Sequence, residues 1–130
     1  METQAQQIAT KITEGGLVCL YGDLGSGKTT FTKKVADFLG IPNFKIKSPT
    51  YTYIRRYDLK AGQHFYHLDL YRLMEIDHIM LEEIEDILEN PQNIVMIEWP
   101  ERMEKHLPSE RINIYLEHIG NGERSIRIEY

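Results

Sequence analysis

The chain has 130 residues, 42% of them hydrophobic and 27% charged, with a formal net charge of −5. This is a single domain, 1–130, with the make-up of a water-soluble globular protein and enough chain for a real core; the acidic balance excludes a broad basic surface for nucleic acid. No apolar run approaches the roughly 20 residues of a membrane span, and the lone Cys19 excludes an internal disulfide.

The opening METQAQQIAT has no basic-then-apolar leader pattern, so the cytoplasm is the expected compartment. Residues 2–13 read as a helix, because Ala5, Ile8, Ala9 and Ile12 recur at helical spacing. Gly15-Gly16 ends it, and Leu17 to Tyr21 follows as a strand apolar throughout, as expected when both faces are covered. Gly22, Gly27, Lys28 and Thr29 then fit the spacing G-x-x-x-x-G-K-[ST] of a phosphate-binding loop. The next helix, Thr29 to Leu39, should bury Phe31, Val35, Phe38 and Leu39, with Gly40 as its cap and Pro42 as its stop.

Pro49 biases Ser48 toward an extended conformation, and Thr50 follows it. The β-rich run Tyr51 to Tyr57 and the run Gln63 to Asp69 flank a turn near Ala61-Gly62. Strands joined this tightly are antiparallel, so the expected sheet is mixed. Asp77 to Glu89 reads as an acidic helix with Ile76, Met80, Ile84 and Ile87 toward the core and its carboxylates on a solvated face; Asn90-Pro91 breaks it. Ile94 to Ile97 is a second short, fully apolar strand that delivers Glu98. Pro100 suits the start of a short helix through His106, which Pro108 ends. Two strands, Arg111 to Glu117 and Ser125 to Glu129, close the chain around Gly120-Asn121-Gly122, a strong hairpin signal.

The loop spacing has a chemical reason. Glycines let main-chain N–H groups approach phosphate oxygens, and the helix that follows points its positive end at the anion. Lys28 adds a mobile point charge at the β- and γ-oxygens, and the Thr29 hydroxyl is an oxygen ligand for Mg²⁺. The metal also needs a carboxylate at the exposed end of a buried strand, and Glu98 fills that slot. Asp69 is a second carboxylate, suited to ordering the attacking water, to binding the metal through water, to orienting Lys28, or to capping the next turn. Arg72 is equally suited to a phosphate, to Asp69 or to the surface. Lys45, Lys47, Arg55, Arg56 and Lys60 leave room for a local basic patch. The five histidines are scattered, so a zinc site is not expected.

Four stretches in this order, GDLGSGKTTF at Gly22 to Phe31, SPTYT at Ser48 to Thr52, HLDLYR at His67 to Arg72 and EWPE at Glu98 to Glu101, together resemble the TsaE (YjeE) family of the tRNA threonylcarbamoyladenosine pathway. The resemblance implies a P-loop NTPase-like α/β sandwich whose mixed, parallel and antiparallel central sheet is flanked by helices. It implies an ATPase that binds ATP and Mg²⁺, with Thr29 and Glu98 as metal ligands and with Gly25, Ser26, Gly27, Lys28, Thr29 and Thr30 around the phosphates. Thr50 matches a switch-like threonine, Asp69 the acidic residue near the γ-phosphate, and Glu2 and Gly122 flank the adenosine. It implies slow hydrolysis alone and TsaD and TsaB as partners; their complex transfers threonylcarbamoyl to the adenosine beside the anticodon, and contact with tRNA is indirect. The family usually has a short strand before the first helix, and this sequence opens at about that helix.

Two other readings of the loop remain open on the residues. A small-molecule kinase needs an acceptor pocket and an arginine-bearing lid, for which Arg55, Arg56 and Arg102 are available. A nucleotide-dependent binding switch needs no hydrolysis at all.

Overall fold

The computed structural model describes residues 1–42, 53–60 and 62–130. Six strands form one sheet: β1 (Gly16–Tyr21), β2 (Ile54–Asp58), β3 (His64–Asp69), β4 (Ile94–Glu98), β5 (Ile112–Gly120) and β6 (Glu123–Glu129). Their order is β2-β3-β4-β1-β5-β6. The four inner strands are parallel, and β2 and β6 close the two edges antiparallel to β3 and β5. The mixed sheet expected from the hairpins is therefore present, with the antiparallel pairs confined to its edges.

Helices α1 (Glu2–Lys11) and α2 (Lys28–Phe38) cover one face. Strand alternation sends Val18, Leu20, Phe65, Ile94 and Met96 to that side, where they join Ile8, Phe31 and Val35. Leu17, Cys19, Leu68, Val95 and Ile97 point the other way. They meet Ile84 of α3 (His78–Glu89) and Met103 of a 3-10 helix (Pro100–His106). β1 and β4 are covered on both faces, which is why each reads as an unbroken apolar run. Each fully buried Leu, Ile or Phe contributes about 1.5–3 kcal/mol of hydrophobic stabilisation.

Two expected faces are corrected. Phe38 is 45% exposed. The turn after α2 explains this: Gly40 has φ +95°, its N–H bonds Asp37 O at 3.0 Å, and the Ile41 N–H bonds Ala36 O at 2.9 Å. This closure folds Ile41 back into the core. On α3, Leu81 and Leu88 pack beside Ile84 and Ile87, and Met80 is not among the packed side chains. The α3 carboxylates are exposed as expected, and Glu83 also accepts the Tyr53 hydroxyl at 2.7 Å. The closing strands run further than expected, to Gly120 and from Glu123. Asn121 and Gly122 both take positive φ, the two-residue turn that suits strand twist. The expected extended segment at Ser48-Pro49-Thr50 lies outside the described residues.

Candidate functional site

β1 ends at Tyr21 and the chain turns at once into the glycine loop. The turn is tight: a Cβ on Gly22 would lie 2.6 Å from Leu116 O and 2.6 Å from Ser26 Oγ. α2 starts at Lys28 behind Gly27, which has φ +103°, and no side chain among the described residues caps it. A helix start of this kind turns main-chain N–H groups toward an anion. Ser26 Oγ is buried without a hydrogen-bond partner among the described residues. These features bound a cavity of about 390 Å³ between the loop, the ends of β3 and β4, and Arg124 of β6. A second cavity, about 500 Å³, opens at the amino ends of β1 and β4, and none of the described motif residues lines it.

The parallel registers bring the candidate residues together. Glu98 sits opposite Leu20 on β1 and Asp69 on β3, at the carboxyl edge of the sheet. Glu98 is 3% exposed, and the Thr29 hydroxyl lies 3.0 and 2.9 Å from its two oxygens. A hydroxyl and a carboxylate at this spacing are hard oxygen donors of the kind Mg²⁺ takes. His67 reaches the same carboxylate from below, with Nε2 2.5 Å from Oε2.

Lys28 is buried and turned back on its own loop. Its ammonium donates to Gly22 O and, at 3.3 Å, to Asp23 O, and it lies 4.0 Å from the centre of the Trp99 ring. Burial lowers its pKa from the ordinary lysine value, opposed by Glu98, Glu101, Asp69 and Asp23. Trp99 takes a left-handed φ of 60°, rare for so bulky a residue, and this turn sets its ring against Lys28 and 5.0 Å from Tyr71. Asp69 lines the cavity and accepts the Tyr71 N–H at 3.1 Å, so it caps the turn and faces the site at once. Its pKa is raised, chiefly by burial; the Tyr71 hydrogen bond opposes this and Glu98 adds to it.

Gly25, Ser26, Gly27, Lys28, Thr29, Thr30, Asp69 and Glu98 all line the one cavity. Glu2 and Gly122 do not. Glu2 pairs with Lys34 at 3.4 Å, and Gly122 stands at an open hairpin tip. Thr50 lies outside the described residues. Of the arginines a kinase lid would draw on, Arg56 pairs with Asp58, Arg102 donates to Tyr71 O, and neither lines the cavity.

Sequence reasoning missed two neighbours of the loop. A Cβ on Gly27 would lie 3.3 Å from Arg124 Nε and 3.3 Å from Met1 Cε. His118 Nε2 lies 2.5 Å from Gly25 O. His118 and Arg124 face each other across β5 and β6, so the last hairpin packs against the glycine loop. No motif marks either residue; only the pairing of β5 with β1 brings the hairpin there.

A parallel strand that runs into a glycine loop and a helix, with a strand-end carboxylate against the loop threonine, defines the P-loop NTPase-like class of α/β proteins. Comparison with known proteins carries this further. The family model described as "Threonylcarbamoyl adenosine biosynthesis protein TsaE" matches residues 1–126. The chain belongs to the TsaE family.

The tRNA threonylcarbamoyladenosine biosynthesis protein TsaE of Bacillus subtilis (strain 168) is 39% identical over 113 residues, covering 86% of this chain and 68% of the relative. The protein of the same name from Aquifex aeolicus (strain VF5) is 34% identical over 125 residues, covering 95% of this chain and 84% of the relative. Against two others, from Synechocystis and Haemophilus influenzae, the match spans 66% and 63% of the relative's length. A solved structure described as "Crystal structure of Bacillus subtilus YdiB" superposes with a TM-score of 0.64 at 32% identity, covering 97% of this chain and 78% of that one.

Proposed function

We propose that this chain is a Mg²⁺-dependent ATPase, slow by itself, that works in the cytoplasm and supports a TsaD–TsaB complex in threonylcarbamoyl transfer to tRNA. The observation that carries the reading is the Thr29–Glu98 contact, which joins the loop threonine to the strand-end carboxylate across the cavity. Family membership supports the pathway.

In this reading the loop N–H groups and the start of α2 bind the phosphate chain. Lys28 leaves the carbonyls of Gly22 and Asp23, where it is held, for the β- and γ-oxygens of ATP. Thr29 and Glu98 would hold the metal, which when bound would supply charge neutralisation for the transferring phosphoryl group. Asp69, beside Glu98, orders the attacking water. Arg124 lends a second cation at the loop. An arginine seated on the γ-phosphate is worth about 10³ to 10⁵ in rate. Arg124 lines the cavity beside Gly27, and in this reading a partner supplies or orders the arginine that reaches the γ-phosphate.

The test is ATP hydrolysis with and without purified TsaD–TsaB complex. Stimulation specific to that complex is expected, together with loss of Mg²⁺-dependent turnover in Glu98→Ala. Normal Mg²⁺-dependent turnover by Glu98→Ala would refute the metal assignment.

A further inference from the structure

His67 is fully buried on β3, flanked by Met96 on β4 and by Phe65 two positions back on the same face. An imidazole in an apolar layer costs free energy unless its polar atoms are bonded. Among the described residues its side chain bonds Glu98, at 2.5 Å. With Glu98 as the acceptor, Nε2 is the nitrogen that donates and Nδ1 is the second ring nitrogen.

The two contacts on Glu98 differ in what they fix. Thr29 Oγ1 is nearly equidistant from both oxygens, at 3.0 and 2.9 Å. A hydroxyl has one hydrogen to give, so this contact does not choose between them. His67 contacts Oε2 alone and breaks the symmetry. Nδ1 of His67 and Nε of Arg55 are both buried without hydrogen-bond partners among the described residues, on residues directly opposite across β3 and β2. A histidine there serves a purpose that a well-packed apolar residue would not.

We propose that His67 is the positioning residue of this site. It holds Oε2 of Glu98 and leaves Oε1 for the divalent cation that Thr29 and Glu98 share. The proposal rests on the magnesium reading above and adds to it a residue that touches neither metal nor nucleotide.

The test titrates a non-hydrolysable ATP analogue calorimetrically, in EDTA and over a series of Mg²⁺ concentrations, with Mn²⁺ binding followed by electron paramagnetic resonance. Removing the partner of a metal ligand typically costs about 10–100-fold in metal affinity. His67→Leu should raise the Mg²⁺ and Mn²⁺ requirement by that factor and leave analogue binding in EDTA unchanged. His67→Gln places an N–H near the Nε2 position and should keep most of the affinity. Melting curves in EDTA establish that each variant is folded; should His67→Leu not fold, His67→Asn, whose donor sits short of Glu98, carries the same expectation. A folded His67→Leu or His67→Asn with wild-type metal dependence overturns the proposal, and so do equal losses in His67→Gln. Glu98→Gln separates the two levels: unchanged metal dependence in that variant sinks the magnesium reading itself, whereas a loss there beside normal His67 variants sinks only the role of His67.

Discussion

Asp69 accepts the Tyr71 N–H while its carboxyl is pushed toward the protonated form by burial. The folded state therefore binds its proton more tightly than the unfolded chain does. That contribution to stability is complete below the ordinary pKa of 3.8 and is lost as pH rises through the raised value. Asp69→Asn keeps the acceptor for Tyr71, so it should melt higher than wild type at pH 7, with the gain vanishing below pH 3.8. Melting curves from pH 3 to pH 7 check it. Arg124 is exposed beside Gly27, where solvent screens its charge. Arg124→Ala should weaken nucleotide binding by about 1 kcal/mol, roughly fivefold, with stability unchanged, as read by calorimetric titration. Cys19 has no part in this chemistry: burial pushes its thiol up to about 12. At this scale the motif residues were legible because phosphate chemistry dictates their spacing. Arg124 and His118 were not, because their sequence neighbours say nothing of the loop they touch.

Elements were legible where a local rule is decisive. The Schellman closure after α2 was readable in Gly40, and the last turn in Asn121-Gly122. Asp77 caps α3 by accepting the Met80 N–H at 2.8 Å. Asp77→Ala should cost about 1 kcal/mol, seen as a lower urea midpoint, without altering nucleotide binding. The loop tolerates less. Gly22→Ala puts a methyl against the carbonyl of Leu116, and overpacking of this kind costs about 1–3 kcal/mol. It should also open the loop, so both the melting temperature and nucleotide affinity fall. The buried faces of α2 and α3 were only partly legible. Periodicity names a stripe, but Phe38 is exposed and Ile41 buried, and Met80 yielded to Leu81 and Leu88. Which residue of a stripe is covered depends on where the helix ends against the sheet.

Across the whole molecule, Lys28 and Trp99 come from opposite sides of the cavity, one on α2 and the other after β4. Trp99 is the chain's one tryptophan. If nucleotide draws Lys28 from the ring to the phosphates, ATP should change the intrinsic fluorescence. Lys28→Ala should abolish both that change and nucleotide binding, and a fluorimetric titration reads both. A fluorescence response that persists in Lys28→Ala would show that Lys28 is not the group that moves. No helix among the described residues is long and apolar enough to cross a membrane.

The sequence by itself determined the strand–loop–helix unit, the apolar strand that delivers Glu98, the mixed sheet and the family, because each rests on local geometry or on the order of short motifs. Only the tertiary structure decided that Thr29, Glu98, His67 and Asp69 share one edge of the sheet and that the last hairpin reaches the glycine loop. The physical reason is register. A one-residue slip between β3 and β4 would turn His67 and Asp69 to the other face, and the registers are held by long-range packing that no stretch of the chain encodes alone.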